Sequence, residues 1–353
     1  MTLPDADLRP GVAGKVVDYP KPPLAGTNAQ ADSNRRKAIT EETLASVMLA
    51  ADDLANIEIP QRESICGTWF RQGDLGFIYA ERGLGKTWLA LYLARCLSEG
   101  RNIGPWAVKQ RRKVLLVDGE MALDSVRERD ASLRHGSGDF YVLSHSWLFE
   151  KAGCILNLSN VATQLALFQL CINHHFDLLI LDNLSCLFSG MAENDADSWE
   201  QVLPWLLDLR RHKIAVIVIH HSNRSGLHMR GTSKREDAAF WVLRLDGVPD
   251  HSRDTEGARF GSRFTKARQG TRDEIEPLEW DFQSDGQSTR VTFRRVPTSE
   301  VFKQWIRDGL TSCSEIAEEM GISKGQVSKM AKRGEREGWL RIEGRSYRLA
   351  EGS

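Results

Sequence analysis

Residues Ala80-Glu-Arg-Gly-Leu-Gly-Lys-Thr87 have the types and spacing needed for chemistry on a polyphosphate. They follow the G-x-x-x-x-G-K-[ST] pattern of a P-loop, except that Ala80 stands at the first glycine position. Gly83 and Gly85, with Leu84 between them, let backbone N–H groups turn inward on phosphate oxygens. Lys86 supplies a point charge and Thr87 offers a hydroxyl to Mg²⁺. The helix that follows, with Trp88 in its first turn, aims its positive end at the phosphates. Ala80 requires a negative φ, so the loop must be entered without a left-handed residue.

Two apolar runs supply carboxylates to match. Lys113-Val-Leu-Leu-Val-Asp-Gly-Glu120 is apolar on both faces, as a central parallel strand requires. Its carboxyl end is where an open α/β sheet places ligands. Glu120 is therefore the candidate base for a water attacking a γ-phosphate, with Asp118 as its competitor and a plain surface carboxylate as the bland alternative. In Phe176-Asp-Leu-Leu-Ile-Leu-Asp-Asn183 the run closes on Asp182, placed to share Mg²⁺ with Thr87. A third run, Ile214–Ile219, ends in His220-His221, and His220 is a candidate sensor of the γ-phosphate. No further Cys, His or acid stands near this pair at metal-ligand spacing. The polar segment Ser222–Ser233, which includes Arg224 and Arg230, could couple nucleotide state to a partner, or be an ordinary solvated loop. Lys266 and Arg268, one residue apart at a strand end, fall on one face. They fit a phosphate-charge stabiliser supplied to a neighbour's site, or a solvated basic face.

The elements that position these groups alternate strand and helix. Beyond the runs above, the pattern predicts helices over Met121–Leu133, Val161–Asn173 and Ser198–Arg211, and strands over Phe140–Leu143, Phe240–Leu245 and Arg259–Arg268. The Ser198–Arg211 helix is expected to bury Trp199, Leu203, Leu206, Leu207 and Leu209. Thr40 should cap a helix running to about Asn56. The fold class is α/β: a parallel-core sheet flanked by helices. Residues 1–38 read as a disordered tail, 39–282 as the ATPase domain, 283–297 as a linker with strand character, and 298–353 as a separate small domain.

That last stretch predicts helices over Glu300–Asp308 and Ser312–Met320, then one capped by Ser323 and running to about Glu337. A hairpin about Gly344 follows. This is the order of a winged helix, a module that binds DNA or, in many cases, protein instead. Lys324, Lys329, Lys332, Arg333, Arg345 and Arg348 are candidate phosphate contacts, with Gln326 and Ser328 as candidate base readers.

The 353 residues, 41% of them hydrophobic, suffice for about two domains with full cores. A net charge of −1 excludes a global basic field, so any nucleic-acid binding must use local patches. The six cysteines form no C-x-x-C pair, which points to free thiols in a reducing compartment. No long apolar run indicates a membrane span, and the expectation is a cytoplasmic protein.

Taken in order, Arg82–Ala90, Val117–Met121, Leu181–Ser185, His220-His221, Arg230–Asp237, Glu256–Phe260 and Thr265–Arg268 resemble the RecA-like hexameric ATPases of the plasmid replicative helicase RepA type. That group lies within the set containing DnaB and KaiC. The likeness spans roughly residues 60–282. It implies a RecA-type sheet and a homo-oligomeric ring, usually of six, with ATP and Mg²⁺ between neighbours. It also implies Glu120 as catalytic base, Lys266 and Arg268 acting in trans, and single-stranded DNA touched by Arg224 and its neighbours. Arg230 would belong to the switch beyond that loop. Two other readings remain: an ATPase that loads or regulates a partner without unwinding DNA, and a nucleotide-sensing, DNA-binding regulator.

Overall fold

The computed structural model describes residues 39–54, 56–190, 196–222, 229, 234–248, 257–320 and 322–350. The expected tail over residues 1–38 and the loop residues Arg224 and Arg230 lie outside them. The chain divides into two units, one ending at Glu58 and one beginning at Ile59. In the first, α1 (Glu41–Val47) and α2 (Ala51–Leu54) replace the single helix expected to Asn56. Thr40 does cap α1, its hydroxyl accepting from the Thr43 N–H at 3.2 Å. Met48 then turns to an extended conformation and ends the helix.

The second unit begins with a small pair, β1 (Ser64–Cys66) and β2 (Phe70–Arg71). β3 (Leu75–Ala80) leads through the P-loop into α3 (Lys86–Glu99). Then come β4 (Val114–Asp118), α4 (Leu123–Leu133), β5 (Phe140–Ser144), α5 (His145–Ala152) and α6 (Val161–Asn173). They are followed by β6 (Leu178–Asp182), α7 (Leu184–Leu187), α8 (Ala196–Arg211), β7 (Ala215–His221) and α9 (Lys234–Ala238). β8 (Trp241–Gly247), β9 (Gly257–Ala267), β10 (Leu278–Ser284) and β11 (Thr289–Arg295) complete the sheet.

The nine strands run in the order β11-β10-β9-β8-β3-β7-β6-β4-β5. From β8 to β5 all neighbours are parallel, while β9, β10 and β11 add antiparallel. β3, β4, β6 and β7 are buried along their whole length, which explains their unbroken apolar runs. One face of the sheet packs under α3; Trp69, Trp106, Trp241 and Trp280 fill the core of that face. The other face packs against α7 and α8. On α8 the buried residues are Trp199, Val202, Trp205, Leu206 and Leu209; Leu203 and Leu207 are only half-buried. The stripe is thus turned slightly from the expected one.

The linker reading of residues 283–297 is corrected. β11 pairs with β10 along seven residues, from Leu278 opposite Arg295 to Ser284 opposite Thr289. The strand character was the informative part, and its hydrogen bonds go to the main sheet.

The remaining residues form three helices, α10 (Thr298–Arg307), α11 (Cys313–Met320) and α12 (Lys324–Arg336), and a hairpin of β12 (Leu340–Glu343) and β13 (Ser346–Leu349). They enclose their own small core around Phe302, Ile316, Val327 and Leu340. This module is seated on the sheet by a buried ion network. Arg244 pairs with Asp246 at 2.6 Å and with Glu319 at 3.2 Å; Arg263 pairs with Asp246 at 2.8 Å and donates to the Glu319 carbonyl. Both guanidinium groups also lie over the Trp305 ring, at 5.1 and 4.5 Å. Removing one member of such a network strands the others without compensation. Glu319→Ala should therefore cost about 3 kcal/mol. The check is limited proteolysis: cleavage near residues 296–298 should quicken while the sheet domain survives as a fragment.

Candidate active site

The P-loop is built at the carboxyl end of β3. Ala80 is the last residue of the strand; its side chain joins the core and its carbonyl accepts from Ser222 N–H at 2.9 Å. Gly83 (φ +78°) and Gly85 (φ +93°) take the left-handed turns. At Gly85 any Cβ would lie 2.8–2.9 Å from Ala258 and Phe260. Within the Glu256–Phe260 motif, Ala258 and Phe260 thus have a physical role, since the start of β9 presses on the P-loop from beside it; Glu256 lies outside the described residues.

Lys86 is buried, with its ammonium donating to the carbonyls of Glu81 at 2.7 Å and Ala80 at 3.1 Å. Burial pulls its pKa down to about 8, against the opposing pull of the Asp182 carboxylate. The Thr87 hydroxyl donates to Asp182 Oδ2 at 2.8 Å. β4 and β6 set Asp118 directly beside Asp182. Burial raises Asp118 to about 7, with Asp182 adding to the rise and the Met121 N–H opposing it. Asp182 is raised to about 6, again by burial first, with the Thr87 hydroxyl opposing and Glu120 adding.

Glu120 stands exposed two residues beyond β4 and accepts from the Asn183 carboxamide. Asn183 is itself buried. Its Oδ1 caps α7 by accepting from Cys186 N–H at 3.1 Å, and its Nδ2 lies 3.3 Å from His221 Nε2. Asn183 is the residue that sequence reasoning missed. Its signal was its place: a cap-forming residue directly after the strand-end acid.

The two histidines at the end of β7 face opposite ways. Alternation along β7 sends His220 with Val216 and Val218 to the face opposite α3, where Arg235 lies 3.1 Å from its Nε2. His221, on the α3 face, is the one beside Asn183. Trp88 packs near Phe282, and the Arg129 guanidinium lies over its ring at 5.2 Å. Arg129 also feels Asp182, so a second cation reaches this pocket.

The donor set fits a divalent cation. Thr87 and Asp182 already touch, and the buried Asp118 Oδ2 has no hydrogen-bond partner. Among the described residues no three His, Cys, Asp or Glu side chains gather into a closed cage. Mg²⁺ suits this arrangement, because it takes one or two carboxylates and completes its shell with phosphate and water.

Lys266 and Arg268 come together, but not here. Lys266 pairs in register with Val242, and Val242 with Phe77, three residues before the P-loop begins. The two cations sit at the amino end of the parallel strands. Lys266 donates to the Glu236 carbonyl, and Arg268 to that of Asp237 at 2.7 Å. On the C-terminal module, Lys324, Lys329, Lys332 and Arg333 are exposed along α12, with Arg333 paired to Glu337 at 2.7 Å. Gln326 is partly engaged: its Oε1 accepts from Ser323 N–H at 2.9 Å in a capping box.

The AAA domain family matches residues 40–226, more than half of the chain. The chain is also similar in structure to the flagellar accessory protein FlaH of Methanocaldococcus jannaschii, at 14% identity and a TM-score of 0.43, over 63% of this chain and 90% of that one. A KaiC-like protein of Pyrococcus horikoshii is similar at 13% identity and a TM-score of 0.45, over 66% and 99%. No curated protein matches the chain.

Two substitutions separate binding from turnover at this site. Gly85→Ala meets both a forbidden φ and the β9 wall, so nucleotide affinity measured by calorimetry should fall at least about ten-fold. Asn183→Ala frees Glu120 and His221, so turnover should fall about ten-fold or more while nucleotide affinity changes little.

Proposed function

The chain belongs to the AAA domain family, and we propose that it is an ATP-hydrolysing RecA-like ring ATPase acting on DNA, a replicative helicase of the RepA type. One observation carries the hydrolytic part. Lys86, the Thr87–Asp182 contact and the Asn183–Glu120 contact meet at the carboxyl end of one parallel sheet.

In this reading Lys86 and the amides of the Gly83–Thr87 turn bind the β- and γ-phosphates of ATP. Thr87 and Asp182 hold Mg²⁺, which when bound neutralises phosphate charge. Glu120 accepts the proton of the attacking water, and Asn183 holds that carboxylate in place. The products are ADP and inorganic phosphate. Lys86→Ala and Glu120→Gln should both abolish turnover in a phosphate-release assay, and the second should still bind ATP. Normal hydrolysis by Glu120→Gln sinks the assignment of the base. With forked DNA, the wild type should displace the paired strand; DNA-stimulated hydrolysis without displacement favours the partner-loading reading.

Lys266 and Arg268 serve the next copy in this proposal. Their register supports it, since they lie about 10 Å along the strand from the start of their own P-loop, at the far end of the sheet. A ring of six copies would bring each pair to a neighbour's phosphates. Residues 222–233, with Arg224 and Arg230, would line its pore on single-stranded DNA. The three helices and hairpin of residues 298–350 support a winged-helix reading. Chains carrying Lys86→Ala and chains carrying Arg268→Ala, each inactive alone, should regain part of the turnover when co-assembled. A mixture that stays inactive, with co-assembly shown by mass, overturns the service in trans.

A further inference from the structure

The C-terminal module does more than sit on the sheet: between β9 and α12 it leaves a cleft of about 850 Å³. Its floor is apolar, with Met320, Ile322 and Met330 among the lining side chains. Five cationic residues line it against two acidic ones. Three of the five are engaged. Arg263 is held in the buried ion network, the Lys266 ammonium is turned to the α9 carbonyls, and Arg333 is paired with Glu337. Glu276, the other acid, is paired with Arg295 at 3.1 Å. That leaves Arg272 on the sheet wall and Lys329 on the α12 wall, both exposed and without an ion pair among the described residues.

An apolar floor between two cationic walls is the chemistry of a groove for one nucleic-acid strand, with bases on the floor and phosphates at the rims. It is not the chemistry of duplex reading. A helix reads duplex DNA from inside a major groove about 12 Å wide, with phosphates on both flanks. Here one flank of α12 faces β9 and residues 272, 275, 276 and 277 across the cleft. Its candidate reader Gln326 gives its Oε1 to the helix cap. The Arg244–Asp246–Arg263–Glu319 network holds the two walls at this spacing.

We propose that this cleft binds a single strand of nucleic acid, with backbone phosphates on Arg272 and Lys329 and bases against the apolar floor. The proposal rests on the DNA-directed reading above and gives it a second track outside the pore loop. The test is a salt titration of the full chain with fluorescein-labelled oligothymidylate, followed by anisotropy. Arg272→Ala combined with Lys329→Ala should weaken binding roughly ten-fold or more. It should also make the slope of log affinity against log salt shallower by about 1.4, at ~0.7 for each phosphate no longer neutralised. Both side chains are exposed, and an unchanged melting temperature confirms that the fold is kept.

Three outcomes overturn the proposal while leaving DNA action standing. They are an unchanged slope in the double variant, a larger loss from Lys324→Ala with Lys332→Ala, which lie outside the cleft, and equal competition by a blunt duplex. If the wild type binds no oligothymidylate even at low salt, the DNA-directed reading falls, and this inference with it.

Discussion

The hydroxyl of Thr87 touching the carboxylate of Asp182 is the contact on which the rest of the site depends. The two residues come from a helix after β3 and from β6, with β7 between the strands. They meet only because parallel strands end together: Ala80 is level with His221, and Asp118 with Asp182. From that common edge, the backbone bond from Gly119 N–H to the Asp182 carbonyl at 2.7 Å ties the two acidic strand ends together. Asn183, one residue on, then reaches Glu120. A strand out of register would separate the whole set.

The same packing leaves the site electrically unbalanced. Burial raises Asp118 and Asp182 towards neutrality and lowers Lys86, so each group is held in an environment that disfavours its charge. Such opposed shifts cost folding stability and are tolerated where a ligand restores the balance. A metal beside the acids and phosphates beside Lys86 would each do so. The arrangement is thus better suited to the loaded site than to the bare protein.

The sheet was legible in the sequence because its central strands are buried on both faces and so read as unbroken apolar runs ending in acids. The P-loop was legible because its groups are local. What could not be read was tertiary. Alternation along β7 decides that His221 and not His220 faces Asn183, and a pair of adjacent histidines gives no clue to which one turns inward. Gln326 has the right type and position for a base reader, but its Oε1 is engaged in a capping box that spans four residues, Ser323 to Gln326. The edge strand β11 reads as a linker because a partly exposed strand carries polar residues such as Arg290, Thr292 and Arg294. The Arg244–Glu319 contact joins residues 75 apart, beyond any local pattern.

β9 links the two ends of this design. At its start, Ala258 and Phe260 press on Gly85 of the P-loop. At its end, Lys266 and the following Arg268 stand on the far side of the sheet, fixed to the carbonyls at the end of α9. Between them Arg263 anchors the C-terminal module. This eleven-residue strand, about 36 Å long, is paired to β10 over Gly257–Ser262 and to β8 over Phe260–Ala267, so one neighbour or the other holds it throughout. In the proposed ring, one such strand in each copy would touch its own nucleotide loop, the neighbour's phosphates and the module beside the cleft. A shift at any of the three contacts would be carried to the other two by this one strand and the sheet neighbours that hold it.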